Sequence, residues 1–368
     1  MRSDGPINVL IVHAAPLFHT LVAGALRRCD DLVILPPAGS LPEMRDAILA
    51  HHPDVIVLDL ALPEPEAREL LAALREHYPV PVIACSGSSK ADGQRALAAI
   101  EAGALDVIVK PPGDGAASVR SLGRELAEKL RAAVREARPV RPVPPGAEAG
   151  APWLARVSFR AAGINPARHL IVIGASTGGT EALRVLMSQM PADAPPIAIV
   201  QHMPAFFTPS FAARLDCYSP LCVAEAVDGQ PLREGHAVVA RGDTHLTVER
   251  RPSGWHARYT HHRPVNRHCP SVDTLFDSAV EAAGSSAIGI LLTGMGADGA
   301  QGLLRLRRCG ALTVAQDARS CVVYGMPKAA VELGAAELCG PPEEIPRLVI
   351  QGLVSRRRGA AGAAARRR

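Results

Sequence analysis

The stretch HLIVIGASTGGTEAL, residues 169–183, most constrains what this chain can fold into. Residues 171–173 form a short apolar, β-branched run, which is typical of a buried parallel strand. After the glycines, apolar residues recur at helical spacing. The turn between them fits G-x-S-x-G around Ser176, a pattern that exposes a nucleophilic hydroxyl between a strand and a helix. Backbone N–H groups at the helix start, beginning with Thr177, point outward and suit a developing oxyanion.

Two more polar residues are expected at the same edge of a parallel sheet. Residues 197–200 are predicted as a strand that leads into His202. Residues 287–292 are predicted as another, followed by a glycine-rich loop that contains Asp298. A serine hydroxyl needs an imidazole to take its proton, and the imidazole needs a carboxylate to orient it. We therefore predict that Ser176, His202 and Asp298 form a catalytic triad.

Two other functions of such a turn match the residues less well. A dinucleotide fingerprint would need glycine at Ser176, and the next strand ends in Gln201 and His202, with no acidic residue for a ribose. An ordinary α/β-hydrolase has this elbow, but its triad follows the chain order Ser, Asp, His, whereas the order here is Ser, His, Asp.

The composition limits which classes of protein this chain can belong to. A chain of 368 residues suggests two or three domains, and 48% apolar residues are enough for sizeable cores. The net charge of +4 does not argue for nucleic-acid binding. Eight cysteines without a C-x-x-C pair suggest neither zinc nor disulfides, and favour a reducing compartment. With no apparent leader and no membrane-length apolar run, we expect a cytoplasmic protein without direct membrane insertion.

The first part of the chain alternates short apolar strands with helical patterns. The predicted strands are residues 9–12, 32–35, 55–58, 80–85 and 107–109, and the helical patterns include 17–28 and 67–77. This alternation predicts an α/β, flavodoxin-like domain with a five-stranded parallel sheet. Ligands of such sheets bind at the carboxyl ends of the strands, where Asp59, Ser86 and Lys110 are expected.

These residues resemble the site of a response-regulator receiver domain, through DVIVLDL, the serine after the fourth strand, and GALDVIVKPP. The resemblance implies that Asp59 is the candidate phospho-acceptor and that Ser86 and Lys110 bind phosphate. However, His13 and Ala14 stand where receivers carry the two acidic residues that hold Mg²⁺. An imidazole and a methyl group do not replace two carboxylates for this hard ion.

Two further parts of the receiver switch are missing from the sequence. LPEPEA at residues 62–67 lacks the usual glycine turn, and Val107 replaces an aromatic residue. We therefore expect a degenerate phosphorylation site with doubtful Mg²⁺ binding. We expect control by a partner that binds the receiver-like face, or a regulatory block that is permanently weak.

The sequence predicts a domain organisation in four parts. Residues 6–137 form the receiver-like domain and end in an amphipathic helix over 116–137. Residues 138–167 are a Pro/Gly-rich linker, and 168–354 form a doubly wound α/β catalytic domain with a mainly parallel sheet. Residues 355–368 are expected to be a basic, disordered tail that is solvated.

Between the predicted triad residues the second half is less regular. Thr208 is predicted as the N-cap of a helix. Further predictions are strands at 237–241, 245–250 and 311–315 and a helix at 326–333. His261, His262 and His268 have no carboxylate or thiol at metal-ligand spacing, which favours a polar loop with Arg267 and His268 facing an acidic partner.

The second half closely resembles the CheB family of protein-glutamate methylesterases. The motifs are IGASTGG, QHMP, FTPSFAARL, NRHCPSVDTLF, LLTGMGADGAQGL, AQD and YGMPKAA, over residues 168–352. The resemblance implies that Ser176 is the nucleophile, His202 the base and Asp298 its partner, with amides near Thr177 and Met295 as oxyanion donors. The sequence departs from the family pattern at Arg241, which replaces the usual proline, and we expect no catalytic effect from this change.

The function implied is hydrolysis of glutamate γ-methyl esters on the cytoplasmic helices of methyl-accepting chemoreceptors, with release of methanol. Deamidation of receptor glutamines is left open as a second activity, and a chemotaxis histidine kinase as a further partner. No cofactor is expected for the esterase. The alternative is a non-catalytic signalling adaptor that binds receptors or kinases through its receiver-like half.

Overall fold

The computed structural model describes residues 5–13, 15–78, 80–111, 116–135, 158–260 and 263–365. The chain divides into two compact units, Met1–Val140 and Arg141–Arg368. Each unit has its own parallel sheet. Residues 138–157 of the expected linker lie outside the described residues. No helix in the part of the chain that is described has both the length and the apolar character to cross a membrane.

The first unit alternates strands and helices, as predicted. Its elements are β1 (Ile7–Val12), α1 (Pro16–Leu26), β2 (Leu32–Ile34), α2 (Leu41–His51), β3 (Val55–Asp59), α3 (Glu64–His77), β4 (Val82–Ser86), α4 (Lys90–Ala102), β5 (Asp106–Val109) and α5 (Ala116–Arg135). The strand order is β2-β1-β3-β4-β5, with every pair parallel. This is the flavodoxin-like order, so the predicted fold class of this unit is confirmed.

The helices of the first unit begin and pack where local chemistry directs them. Ser89 accepts a hydrogen bond from the backbone N–H of Asp92, whose carboxylate accepts one in return from Ser89 N–H, so α4 starts with a capping box. The leucines four residues apart on α5, Leu122, Leu126 and Leu130, are all buried. The spacing of apolar residues therefore predicted the buried face of this helix correctly.

The second unit contains the remaining elements. They are β6 (Leu170–Ala175), α6 (Gly179–Ser188), β7 (Ile197–Gln201), α7 (Thr208–Tyr218), β8 (Cys222–Glu225), β9 (Pro231–Leu232), β10 (His236–Val239), β11 (His245–Arg251), β12 (Gly254–Thr260), α8 (Val272–Ala283), β13 (Ala287–Leu291), α9 (Ala300–Arg308), β14 (Leu312–Gln316), α10 (Met326–Glu332), β15 (Leu338–Gly340) and α11 (Ile345–Ala365). Seven strands form one parallel sheet in the order β15-β14-β13-β6-β7-β10-β8. The predicted doubly wound α/β class is confirmed.

The strand order places a topological switch point in the middle of this sheet. The chain starts at β6 and continues to β7 on one side, whereas β13 and β14 extend the sheet on the other side. The connections on the two sides of β6 leave the sheet in opposite directions, which opens a crevice at the carboxyl ends of β13, β6 and β7. Fully buried residues of these strands, such as Val172, Ile199 and Ile290, form the floor beneath it.

The less regular region expected between His202 and Asp298 is more ordered than its sequence indicates. Strands β8 and β10 extend the main sheet, and β11, β12 and β9 form a separate antiparallel sheet. Thr208 is not the N-cap of α7, because the helix starts at Thr208 itself and Phe207 precedes it. The Thr208 hydroxyl donates back to the carbonyl of Ala205 at 3.0 Å, which a residue in the first turn can do.

Two predicted boundaries of the second unit are wrong. Residues 158–167 were expected to be linker, but Phe159 is fully buried and Asp193 accepts hydrogen bonds from Ser158 Oγ and the N–H groups of Phe159 and Arg160. The residues expected to form a disordered tail from 355 onward continue α11 as far as Ala365, and residues 366–368 lie outside the described residues. Alanine is the strongest helix former, which favours this continuation.

If residues 158–167 belong to the second unit, removing the Phe159 side chain will destabilise that unit. We expect Phe159→Ala to lower its free energy of unfolding by about 3–5 kcal/mol, because a fully buried aromatic ring leaves a cavity. Urea unfolding followed by circular dichroism measures this loss. Val227→Ala, at a position with 63% exposure, is the control and should change stability by less than about 0.5 kcal/mol. An equally small change for Phe159→Ala would show that the segment is a linker.

Candidate active site

Three neighbouring strands bring the predicted triad to one edge of the sheet. Ser176 follows β6 directly and His202 follows β7 directly, after the paired residues Ala175 and Gln201. The backbone N–H of His202 donates to the carbonyl of Ala175 at 3.1 Å, which ties the two strand ends together. Asp298 lies in the loop after β13, the strand on the other side of β6.

The turn that carries Ser176 is held tightly by hydrogen bonds. The carbonyl of Ser176 accepts from the N–H of Gly179 at 2.7 Å and from Nε2 of Gln201 at 2.9 Å. Gly178 has φ +75°, and a Cβ there would overlap the side chain of Val322. A larger residue at 178 would therefore strain the turn and displace its neighbour. The predicted elbow is present, with helix α6 starting at Gly179.

The loop after β13 packs against the other side of Ser176. The N–H of Ser176 donates to the carbonyl of Thr293 at 3.0 Å, and the Thr293 hydroxyl donates to the carbonyl of Thr177 at 3.0 Å. A Cβ at Gly294 would lie only 2.7 Å from Cβ of Ser176. Thr177 is buried and Met295, the residue after Gly294, is half-buried. The two residues expected to supply oxyanion donors therefore lie on the two segments that meet at Ser176.

His202 and Asp298 form a direct hydrogen bond, with 2.9 Å between Nε2 and Oδ2. An ionised carboxylate only accepts, so Nε2 carries the proton and Nδ1 of the neutral ring is the acceptor. Nδ1 is buried and has no hydrogen-bond partner among the described residues. The ring also stacks on His268, with the two centroids 3.8 Å apart and the planes within 9°. The hydrogen bond and the stacking thus fix the plane and the tautomer of the His202 ring, and the lone pair on Nδ1 can accept a proton.

Asp298 is a buried carboxylate surrounded by donors. Its side-chain oxygens accept hydrogen bonds from His202 Nε2, Asn266 Nδ2, Ser271 Oγ and the backbone N–H groups of Val272 and Asp273. Burial alone would raise the pKa of Asp298, but these hydrogen bonds and the nearby imidazole hold it well below its usual range. Val272 and Asp273 open α8, so the carboxylate also lies at the positive end of that helix.

Sequence reasoning did not identify the segment that supplies most of these donors. Asn266 and Ser271 belong to NRHCPSVDTLF, a motif that carried the resemblance without a role for either residue. The signal was partial, because serine followed by aspartate is typical of a helix start, but its contact with Asp298 is not local. His268 was expected to face an acidic partner and instead stacks on His202. His261 and His262 lie outside the described residues.

The receiver-like site brings together Asp59, Ser86 and Lys110. Asp59 is buried and its Oδ1 accepts from Lys110 Nζ at 2.5 Å and from the N–H of Ala61 at 2.9 Å. Ser86 is also buried, and its hydroxyl donates to the carbonyl of Asp92 at 3.1 Å. The negative charge of Asp59, the candidate phospho-acceptor, is therefore already neutralised by Lys110.

His13 and Ala14 stand where the acidic pair was expected, and Ala14 lies outside the described residues. His13 is mostly buried, with Nδ1 unpartnered among the described residues. Burial, with some help from His19, lowers the pKa of His13 despite the opposite pull of Asp59. A neutral imidazole is not the hard oxygen ligand that Mg²⁺ requires, so these residues do not fit that ion. More widely, the described residues contain no cluster of three His, Cys, Asp or Glu side chains able to hold a metal.

Comparison with known proteins matches both units. Residues 171–349 match the family model for CheB methylesterase, and residues 9–117 match that for the response regulator receiver domain. Protein-glutamate methylesterase/protein-glutamine glutaminase 1 of Dechloromonas aromatica is 42% identical over 348 residues, covering 95% of this chain and 98% of that protein. The enzyme numbered 2 in Pseudomonas aeruginosa is 40% identical, covering 96% and 99%. The crystal structure of the Thermotoga maritima CheB methylesterase catalytic domain is 38% identical, covers 50% of this chain and 97% of that one, and has a TM-score of 0.49.

The depressed pKa of Asp298 predicts how the second unit responds to acid. Its charged form stabilises the fold above the ordinary carboxyl pKa of about 4, and this contribution is lost as the pH falls toward the lower folded-state value. The raised pKa of Asp273 acts in the opposite direction, because protonation relieves the cost of burying its charge. We expect the loss from Asp298 to dominate, so that the urea midpoint of this unit is steady from about pH 7 to pH 5 and drops as the pH falls from about 5 to 3.

Asp298→Asn is the matched variant for this measurement. It should be less stable than the parent protein at neutral pH and lose less stability on acidification, because the group that titrates is gone. Asp277→Asn, which changes a half-exposed carboxylate on α8, is the control and should follow the parent curve. Identical pH dependence in the parent and in Asp298→Asn would contradict the assignment.

Proposed function

The chain belongs to the CheB methylesterase family, and we propose that it removes methyl groups from glutamate γ-methyl esters of chemoreceptors through Ser176, His202 and Asp298. It is a carboxylic ester hydrolase of the protein-glutamate methylesterase class with an attached receiver domain. One observation carries the assignment of residues. His202 is fixed by Asp298 at 2.9 Å and keeps a buried, unpartnered Nδ1 at the strand end next to Ser176.

The geometry supports a two-step acyl transfer. Ser176 Oγ attacks the ester carbonyl carbon while its proton moves to His202 Nδ1, and the imidazolium formed is stabilised by Asp298. The carbonyl oxygen becomes an oxyanion, for which the backbone amides of Thr177 and Met295 are the proposed donors. When the C–O bond breaks, methanol leaves with the proton from His202. The glutamyl group is then an ester of Ser176.

Water completes the cycle. His202 Nδ1 takes a proton from a water molecule, which attacks the acyl carbon and forms a second oxyanion at the same donors. Ser176 leaves with the proton from His202, and the glutamate carboxyl group loses its remaining proton to solvent and is released as the carboxylate. This chemistry uses only side chains and backbone of the chain, and we propose that the esterase needs no cofactor.

The same site supports a second substrate. A glutamine side chain presents the same carbonyl with an amide as its leaving group, and the relatives carry protein-glutamine glutaminase in their names. We therefore include deamidation of receptor glutamines, with ammonia released instead of methanol. The proposed substrates are glutamate esters and glutamines on the cytoplasmic helices of methyl-accepting receptors, and a chemotaxis histidine kinase is the proposed partner of the receiver domain.

Regulation of this chain is proposed to differ from that of a phosphorylated receiver. Lys110 already neutralises Asp59, and His13 occupies the position where a carboxylate would help bind Mg²⁺. Without two acidic groups, Mg²⁺ would be held too weakly to offset the negative charge that an incoming phosphoryl group brings to this site. The residues thus support control by a partner that binds the receiver-like face rather than by rapid phosphorylation of Asp59.

The esterase proposal is tested by methanol release from membranes that contain methylated receptors. Ser176→Ala and His202→Ala should each lower the rate by about 10⁴-fold or more, because triad members act as a unit. Asp298→Asn should leave receptor binding nearly intact and lower the rate, since the imidazole loses its anion. Each variant is checked for folding by circular dichroism. A folded Ser176→Ala with the parent rate would exclude the serine mechanism, and no methanol from the parent would favour the adaptor function.

The regulatory proposal is tested with acetyl phosphate and Mg²⁺, following acid-labile phosphate and methanol together. We expect little labelling and less than about a twofold change in esterase rate, because the acidic pair is replaced. The double variant His13→Asp with Ala14→Asp restores the two carboxylates and should increase labelling, whereas Asp59→Asn should abolish what labelling remains. Rapid labelling of the parent at Asp59 with strong activation would overturn the proposal.

A further inference from the structure

A second buried carboxylate, Asp273, lies beside Asp298 and is not part of the triad. Asp273 is 6% exposed and Asp298 3% exposed. One amide group joins them, because Nδ2 of Asn266 donates to Asp273 Oδ2 at 2.7 Å and to Asp298 Oδ1 at 2.8 Å. Asn266 has φ 51°, a left-handed conformation that asparagine tolerates better than most residues. The backbone is therefore held in an uncommon state at the residue that bridges two acids.

Each of the two carboxylates also accepts hydrogen bonds from the first N–H groups of a helix. Asp298 precedes α9 in the chain and accepts hydrogen bonds from the first N–H groups of α8. Asp273 lies in the first turn of α8 and accepts from the N–H of Gly302, in the first turn of α9, at 2.6 Å. Asp298 thus accepts from the start of α8, the helix that carries Asp273, and Asp273 accepts from the start of α9, the helix that follows Asp298. Both carboxylates therefore lie at positive helix ends.

Asp273 is surrounded by donors that require an acceptor. Besides Asn266 and Gly302, Arg305 on α9 approaches its Oδ1 to 3.7 Å. Burial raises the pKa of Asp273, and the neighbouring charge of Asp298 raises it further, whereas the hydrogen bonds lower it. The charged and titratable side chains around this pair, counting the elements packed against it, are Asp298, His202, His268, His245, Arg305 and Asp277.

The oxygens of Asp298 have different partners. Oδ2 accepts from His202 and from the N–H of Val272, whereas Oδ1 accepts from Asn266, Ser271 and the N–H of Asp273. Asn266 therefore binds the carboxylate oxygen of Asp298 that does not bind the imidazole. Its second bond, to Asp273, fixes where that amide can lie.

We propose that Asp273 is a positioning residue for the esterase: through Asn266 it orients Asp298, and its negative charge stabilises the His202 imidazolium. The inference rests on the proposed function, because the imidazolium forms when His202 takes the proton of Ser176. Asp273 touches neither His202 nor Ser176 in the contacts of its side chain and acts only through Asn266, Asp298 and the field of its charge. In the dry interior such a charge acts over a longer distance than in water.

Asp273→Asn removes the charge while it keeps the shape of the side chain. An amide there can still accept from Gly302, but it then presents a donor to the Asn266 donor, so the bridge is broken. We expect kcat to fall about 10- to 100-fold with KM changed less than about twofold, because the loss is felt in the transition state. The acid limb of the kcat/KM profile should move to lower pH by about 0.5 to 1 unit, since one negative charge no longer favours the imidazolium.

Asp277→Asn is the matched control, because it makes the same change one turn later on α8 and also removes a partner of Arg305. It does not contact the bridge and should leave kcat and the pH profile as in the parent. Asn266→Gly keeps the left-handed backbone and removes the amide. It should lower kcat as Asp273→Asn does, without moving the acid limb to lower pH, because the charge at 273 remains. It also tests the bridge if Asp273→Asn does not fold.

A spectroscopic measurement separates this inference from the proposed function. The His202 Nε2 proton, which lies in the bond to Asp298, should give a downfield proton resonance that shifts upfield or broadens in Asp273→Asn but not in Asp277→Asn. If the parent releases no methanol, the esterase proposal fails and this resonance still decides whether Asp273 positions the pair. A folded Asp273→Asn with parental kcat, pH profile and resonance would overturn the inference, and reduced thermal stability alone would indicate a purely structural acid.

Discussion

The candidate active site depends on keeping one carboxylate, Asp298, charged inside the protein. An unpaired buried charge costs several kcal/mol, so such a group persists only when donors surround it. The donors come from the end of β7, from the segment of residues 266–271, and from the start of α8. These parts are far apart in the chain, so the charge is tolerated only when strand order, loop and helix are all in place. Assembly of the His202–Asp298 pair and folding of the second unit are therefore coupled.

The parallel sheet explains why the three candidate residues meet where they do. Parallel strands end at the same edge, and the reversal of connection direction at β6 leaves a crevice there. Ser176 is presented by the turn after β6, and the strands on both sides of it, β7 and β13, lead to His202 and, through a loop, to Asp298. The start of α6 follows the Ser176 turn, and the first N–H groups of α8 bind Asp298, so positive helix ends lie where they suit a developing oxyanion and a buried carboxylate.

Each unit places a carboxylate at the carboxyl ends of the strands of its own parallel sheet, but the two carboxylates have different partners. In the first unit Asp59 is paired directly with Lys110 at 2.5 Å, so the acid is neutralised by a side chain that also lies 4.5 Å from the Phe18 ring centroid. In the second unit the carboxylate is paired with an imidazole that keeps an unpartnered nitrogen. The first carboxylate is held by a lysine, whereas the second orients an imidazole that can act as a base.

Much of this architecture was predictable from the sequence. Strands buried on both faces must be apolar, and helices must repeat every 3.6 residues, so most strand and helix positions followed from local patterns. The candidate residues Ser176, His202 and Asp298 followed too, because polar side chains after such strands meet at one edge. Local patterns predicted less well where hydrogen bonds decide the conformation. Residues 158–167 look like linker, yet Asp193 and the burial of Phe159 hold them on the second unit.

The sequence by itself determined the periodicities, the turn at Ser176 and the residue types of the candidate triad. Only the tertiary structure decided which nitrogen of His202 faces Asp298, that His268 stacks on it, and that Asn266 bridges two acids. The physical reason is that a strand or helix is specified by neighbours a few residues away, whereas Asn266 and Asp298 are 32 positions apart. Whether such a donor reaches such an acceptor depends on how loops and helix ends converge, and no local pattern records that distance.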